Sequence, residues 1–232
     1  MRYTTMRYVR YLFLIAVGTF LWQPIPSYAE KILPHITILH EGYVQAIEER
    51  NFVPGERDDG ARKVATTVAL VEAENAVILI DPGMLPASVD LAAQIESMGF
   101  TPEDITHIFI SHHHPDHTVK IGMFQNATVV DFWGSYTHDL WEDHGDDYEM
   151  AKNVIVMRTP GHTHEDASLL VKAKDGAYVF THVWWNENMQ PEIDPLAEEH
   201  KKLVESRGKV LAIADYIIPG HGKMFANPDK KN

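Results

Sequence analysis

The stretch "ISHHHPDHT", residues 110 to 118, sets four histidines and an aspartate within six consecutive positions. An extended segment sends alternate side chains to opposite sides, so His112 and His114 face one way and His113 the other. Pro115 fixes the backbone at the turn, and Asp116 and His117 arrive as a helix begins, aimed back toward the same spot. Neutral imidazole and carboxylate are the usual zinc ligands where cysteine is absent, and this chain has no cysteine. A merely histidine-rich surface tract would need no partners elsewhere. Yet "TPGHTH" at 159–164 and "IPGHG" at 218–222 set His162 and His221 in glycine-hinged loops directly after apolar runs. Three such loops point to one shared metal site.

Strands must stand behind these loops. "ITHIFI" (105–110) reads as a buried strand running into the cluster, "NVIVMRT" (153–159) as the strand before His162, and "ADYIIPGHG" (214–222) as a strand ending at His221. "VATTVALVEAENAVILID" (64–81) reads as a hairpin broken at Glu74-Asn75, and "SLLVKAKDGAYVFT" (168–181) as a hairpin turning at Asp175-Gly176. Two short strands are expected around Glu41-Gly42, followed by a polar loop, "NFVPGERDDGARK" (51–63). "ASVDLAAQIESMGF" (87–100) predicts a helix stopped by Gly99; Asp194-Pro195 predicts the cap and first position of another, ending at Gly208. The acidic stretch "WEDHGDDYEM" (141–150) lacks the alternating ligands of a calcium loop and reads as a solvated surface loop. Two halves, each of hairpin, helix and strand, predict an α+β fold of two mixed sheets packed face to face with helices outside.

With 45% hydrophobic and 23% charged residues, the 232-residue chain reads as one globular domain behind an N-terminal leader. Arg2, Arg7 and Arg10 precede the apolar run "YLFLIAVGTFLW", and Ser27-Tyr28-Ala29 supplies small residues at a cleavage site. Residues 1–29 are therefore expected to be a secretory signal peptide, with an apolar run of about 12 residues against the roughly 20 a membrane span needs. The expected destination is periplasmic or secreted, where a chain without cysteine meets no thiol problem. Loss of three arginines would lower the formal charge from −13 to −16. Nucleic acid is disfavoured as a partner, since its binding depends on basic residues neutralising phosphates. A small-molecule substrate is expected, with no membrane association after cleavage.

The order H-x-H-x-D-H, then G-H-T, then a strand-end residue, then P-G-H-G resembles the metallo-β-lactamase superfamily, from about Thr66 to His221. The resemblance implies a four-layer αββα sandwich over residues 30–232 and two zinc ions. His112, His114 and His162 match the first metal's ligands, and Asp116, His117 and His221 the second's; His113 falls at a variable position. One position departs. Most hydrolases of the superfamily end the next strand with an aspartate that bridges both metals, whereas "YVFTHVWW" here supplies His182. A neutral imidazole has one free lone pair, so His182 reads as a terminal ligand of the second metal, with a supporting or non-ligand role as the alternative.

Such a site implies a metal-activated hydroxide attacking an ester, lactone, amide or related small substrate, with Asp116 orienting it and receiving its proton. "GHTHEDASLLV" and "ADYIIPGHGKMF" are similar to the branch that contains metallo-β-lactamase domain-containing protein 1 and its bacterial relatives. A periplasmic β-lactamase is an alternative, although "PGHTHEDAS" lacks that group's usual glycine-serine pair. A phosphodiesterase or nuclease is a second, and a non-catalytic metal-binding member a third. Trp184, Trp185 and His164 are the candidates for lining a substrate cleft.

Overall fold

The computed structural model describes residues 33–47 and 62–230, so the signal reading of residues 1–29 and most of the 51–63 loop lie outside the described residues. Along the chain run β1 (His35–His40), β2 (Tyr43–Ala46), β3 (Arg62–Ala65), β4 (Val68–Ala73), β5 (Ala76–Ile80), α1 (Leu91–Ser97), β6 (His107–Phe109) and α2 (Pro115–Thr118). They are followed by β7 (Thr128–Val130), β8 (Gly134–Thr137), β9 (Leu140–Asp143), β10 (Tyr148–Ala151), β11 (Val154–Arg158), β12 (Ala167–Ala173) and β13 (Gly176–Thr181). α3 (His200–Ile213), β14 (Tyr216–Pro219) and β15 (Phe225–Ala226) complete the described elements. One sheet has the order β1-β4-β5-β6-β7-β8-β9, the other β10-β11-β12-β13-β14-β15, and β2 pairs with β3. Both large sheets are mixed: β5, β6 and β7 are mutually parallel, as are β13 and β14.

Side-chain alternation decides the layering. Ala69, Val71, Ile78, Ile80 and Phe109 face inward and meet Val156, Leu169, Val171, Phe180 and Ile218 of the second sheet. Their neighbours Val68, Leu70, Leu79 and Ile108 face outward, where Leu91 and Ile95 of α1 cover them. On the far side Leu170, Val179 and Ile217 are covered by Leu203 and Val210 of α3. The result is helix, sheet, sheet, helix: the expected αββα sandwich. Each fully buried aliphatic side chain contributes about 1.5–3 kcal/mol, and a one-residue slip of β4 would exchange its two faces, so register is strongly set. Among the described residues no helix is long and apolar enough to cross a membrane.

Several local expectations are corrected. The two strands expected around Glu41-Gly42 are present as β1 and β2, β1 joining β4 and β2 joining β3, but β3 takes in Arg62 and Lys63 from the expected loop. The second hairpin turns on Lys174 and Asp175, with Gly176 already paired to Ala173. The 141–150 segment is largely strand: β9 ends one sheet, β10 begins the other, and the turn between them carries the chain across.

Asp194-Pro195 does not open α3, which starts at His200 and passes through Gly208 to Ile213. Leu203, Ser206 and Val210 recur at helical spacing on its buried face, and that face outweighs the roughly 1 kcal/mol cost of an interior glycine. Gly208 is exposed, and a Cβ there would meet nothing within 4 Å. Gly208→Ala is therefore expected to stabilise the protein by about 0.5–1 kcal/mol in urea denaturation.

Candidate metal centre

Each candidate ligand lies beyond the carboxyl end of a strand. β6 leads to His112, β11 to His162, β13 to His182 and β14 to His221. β11 and β13 both pair antiparallel with β12, and β14 runs parallel to β13, so three ligand loops leave the second sheet at one edge. Asp116 and His117 sit on the single turn α2, which begins at Pro115. Met84 N donates to the Asp116 carbonyl at 2.7 Å, and a Cβ on Gly83 would collide with that carbonyl. Glycine is what lets the turn after β5 approach α2. Ala167 N donates to Ser111 O at 2.8 Å, joining the His112 loop to the second sheet. Thr159 Oγ1 and Ser168 Oγ lie 2.7 Å apart, and Ser168 Oγ donates to Thr181 Oγ1 at 2.7 Å, tying together the site ends of β11, β12 and β13.

These loops bring all seven expected ligands together. His114 Nδ1 lies 3.0 Å from His112 Nε2 and 3.1 Å from His162 Nε2. Asp116 Oδ2 lies 3.5 Å from His117 Nε2 and 3.3 Å from His221 Nε2. His182 stands between the two groups, its ring centroid 4.4 Å from His112, 4.3 Å from His162, 5.0 Å from His117 and 5.1 Å from His221. It also forms a third candidate group with His112 and His117. A Cβ on Gly220 would run into the His182 ring, so the glycine before His221 makes room for His182. His113 points elsewhere, its Nε2 2.9 Å from Asp131 Oδ2.

The outward ring nitrogens are held by fixed partners. His162 Nδ1 donates to Asp194 Oδ2 at 2.6 Å, His117 Nδ1 to Asp81 Oδ2 at 2.9 Å, and His221 Nδ1 to Ala65 O at 3.0 Å. Donation from Nδ1 leaves the Nε2 lone pair facing the cluster, the tautomer that ligation needs. Burial drives the His112 and His182 imidazoles well below their ordinary value, and the neighbouring histidines add to it. Burial, then His117, lowers His221 to about 4. Burial acts the same way on His117, but Asp81 and Asp116 outweigh it and leave its value raised. For Asp116, burial pushes the carboxyl up while His117 and His221 prevail and hold it below the usual range.

Both ring nitrogens of His182, and Nε2 of His117, are buried with no hydrogen-bond partner among the described residues. An unpaired buried polar atom costs roughly 1–3 kcal/mol, and a cation among these lone pairs removes that cost. Tetrahedral ligands about 2.0–2.1 Å from zinc stand roughly 3.3 Å apart. The donor separations of 3.0 to 3.5 Å match that spacing. An all-imidazole and carboxylate set without thiolate suits zinc.

Above the cluster opens a cavity of about 360 Å³, with His114, Asp116, His162, His182 and His221 on its polar side. Val44, Val64, Met84, Leu196 and Trp185 supply apolar wall, and Arg62 a cation. Of the three cleft candidates, Trp185 is in place. Trp184 is not: it is 2% exposed and packs in the core under α3, with the Arg207 guanidinium 5.6 Å from its ring centroid. Both tryptophans lie beyond β13 in the bends that follow it, and the chain there turns Trp184 under α3 and Trp185 toward the cavity. His164 is also displaced, solvent-exposed, and bonded through Nδ1 to Glu198 at 3.0 Å.

Over residues 61–222 the chain matches the metallo-beta-lactamase superfamily. It belongs to that superfamily. Metallo-beta-lactamase domain-containing protein 1 of Xenopus laevis is 34% identical over 67% of this chain and 74% of its own. N-acyl homoserine lactonase of Bacillus cereus is 23% identical over 53% of this chain and 66% of its own. Among solved structures, a B. thuringiensis AiiA variant with N-decanoyl-L-homoserine bound shares the fold, with a TM-score of 0.61 and 18% identity over 82% of this chain and 92% of its own. The sandwich is thus the metallo-β-lactamase fold, and the chain is a metal-dependent hydrolase of this superfamily.

Three carboxylates of this metallo-β-lactamase superfamily member escape a reading of its sequence. Asp81, at φ +45°, accepts from Ser111 N at 2.8 Å and Ser111 Oγ at 2.7 Å as well as from His117. Asp194, read as a helix cap, instead holds His162 and accepts from Trp185 Nε1 at 3.1 Å. Asp166 accepts from Thr163 N and Oγ1, both at 2.7 Å, bracing the His162 loop; burial pushes its carboxyl up to about 6 against the pull of His162. Ser111 and Thr163 accordingly serve as supports for the loops. The available signal for Asp81 is its place directly after a buried apolar run, before Pro-Gly.

Proposed function

We propose that the protein is an exported, zinc-dependent hydrolase of small esters with an apolar body, lactones foremost. The observation that carries this reading is the cavity of about 360 Å³, whose polar side is built from five of the seven converging ligands and whose other walls are largely apolar. Its size lies near the lower end of the roughly 300–1,000 Å³ range of small-molecule sites. The resemblance to N-acyl homoserine lactonases supports the choice of lactone. A formal charge of −13 weighs against nucleic acid. Export rests on Arg2, Arg7, Arg10, the apolar run after them and Ser27-Tyr28-Ala29.

In this reading His112, His114 and His162 hold one zinc, Asp116, His117 and His221 the other, and His182 is a terminal ligand on the second. When bound, zinc supplies the Lewis acidity that ionises water near neutral pH and polarises a carbonyl. Asp116 orients the attacking water and accepts its proton at Oδ1, the carboxylate oxygen left free when Oδ2 faces His117 and His221. Trp185, Leu196 and the β2–β3 valines exclude bulk water from the substrate's apolar part, which strengthens every charge interaction at the polar side.

The test is a panel of homoserine lactones, thioesters, aryl esters, phosphodiesters and nitrocefin, run before chelation, after it, and after return of Zn²⁺. Lactone turnover is expected to fall to background on chelation and to recover. Turnover of nitrocefin alone would replace the lactone reading by a β-lactam one, and absence of any chelator-sensitive turnover would sink catalysis itself.

A further inference from the structure

One carboxylate oxygen, Asp194 Oδ2, serves two donors with different work. It accepts from His162 Nδ1 at 2.6 Å and from Trp185 Nε1 at 3.1 Å. The side chains of His162 and Asp194 are each 2% exposed, so this short contact is shielded from water. Charge-assisted hydrogen bonds of this kind are about twice as strong as neutral ones. The second oxygen, Oδ1, accepts from Leu196 N at 2.8 Å, which fixes the carboxylate plane.

The segment that carries both Trp185 and Asp194 is strapped down along its length. Arg207 of α3 donates from Nε to Val183 O at 2.8 Å, from Nη1 to Glu192 O at 2.6 Å and from Nη2 to Pro191 O at 2.7 Å. Trp185 N donates to Gln190 O at 2.7 Å, and His221 N donates to Trp185 O at 2.7 Å. Beyond Asp194, Glu198 N and Glu199 N donate to the carbonyls of His162 and Gly161, each at 3.0 Å. The segment therefore touches the His162 loop and the His221 loop, with the cavity-wall indole between them.

We propose that Asp194 is a positioning residue that couples zinc binding at His162 to the placement of the Trp185 indole, so that metal loading sets the shape of the substrate cavity. Ligation of His162 Nε2 draws on the electrons of its ring and strengthens the Nδ1–H bond to Asp194. The same oxygen then holds the indole in a fixed orientation. Linkage makes the effect reciprocal: whatever orients Trp185 changes zinc affinity by the same factor. The inference rests on His162 being a zinc ligand, as proposed above.

The experiment is a zinc titration of the chelated full-length protein, followed by competition with a zinc dye and by tryptophan emission. Trp185→Phe identifies the part of the emission change that belongs to Trp185. Asp194→Asn is expected to weaken zinc binding about 10–100-fold and to abolish the Trp185 part of the zinc response. Trp185→Phe, which removes the second donor but leaves the carboxylate, is expected to shift zinc affinity several-fold. A folded Asp194→Asn with wild-type zinc affinity, or with an unaltered Trp185 response, overturns the role of Asp194. Should Asp194→Asn not fold, wild-type zinc affinity in Trp185→Phe overturns the coupling. Wild-type protein that binds no zinc removes the metal centre itself, a different failure from either of these.

Discussion

Asp116→Asn is expected to lower kcat about a thousandfold while leaving the protein folded. Asp116 is the only acidic residue among the described cavity-lining residues, and its Oδ2 faces both His117 Nε2 and His221 Nε2. Those two histidines hold the carboxyl ionised against its own burial. The amide keeps the size and one ligating oxygen, but it neither accepts a proton nor offsets the charge of the cations. Stability is expected to hold, because the Asp116 carboxylate is partly exposed and anchors no element of the sandwich. The measurement is kcat at saturating substrate and zinc, with metal content determined on the same sample. Activity within tenfold of wild type at full metal content would remove Asp116 as the proton acceptor.

The candidate ligands are legible in the sequence because coordination dictates residue type, and because each follows an apolar strand within a short loop. Their supports are less legible, since a carboxylate bonded to an imidazole has no required spacing. Asp194 lies 32 positions from His162, and next to Pro195 it carries a stronger local signal for a helix cap than for a distant partner. Local propensity and tertiary pairing compete for one side chain, and the buried charge-assisted bond wins. The fold divides the same way. The hairpins β4–β5 and β12–β13 announce themselves because their strands are buried on both faces and read as continuous apolar runs. β7, β8 and β9 are three or four residues long, and β9 is exposed at every position. Such strands are held by backbone pairing to a neighbour, which leaves no hydrophobic pattern to read.

His182 yields an effect whose sign depends on metal. Its two ring nitrogens are buried without hydrogen-bond partners among the described residues. His182→Leu removes both at similar volume, so the chelated variant is expected to be more stable than chelated wild type by roughly 1–3 kcal/mol in urea denaturation. With zinc added the order is expected to reverse, because under the proposed ligation the lone pair that was a liability becomes a bond. The second zinc equivalent is then expected to bind His182→Leu at least about tenfold more weakly than wild type. His182→Asp completes the series. A carboxylate between His112, His162, His117 and His221 restores one negative charge where two cations would repel each other, so the second equivalent is expected to be held more tightly than in wild type. Zinc titration with elemental analysis separates the three proteins. Equal affinity for the second equivalent in wild type and His182→Leu would make His182 a bystander, and its unpaired nitrogens would then need a partner other than metal.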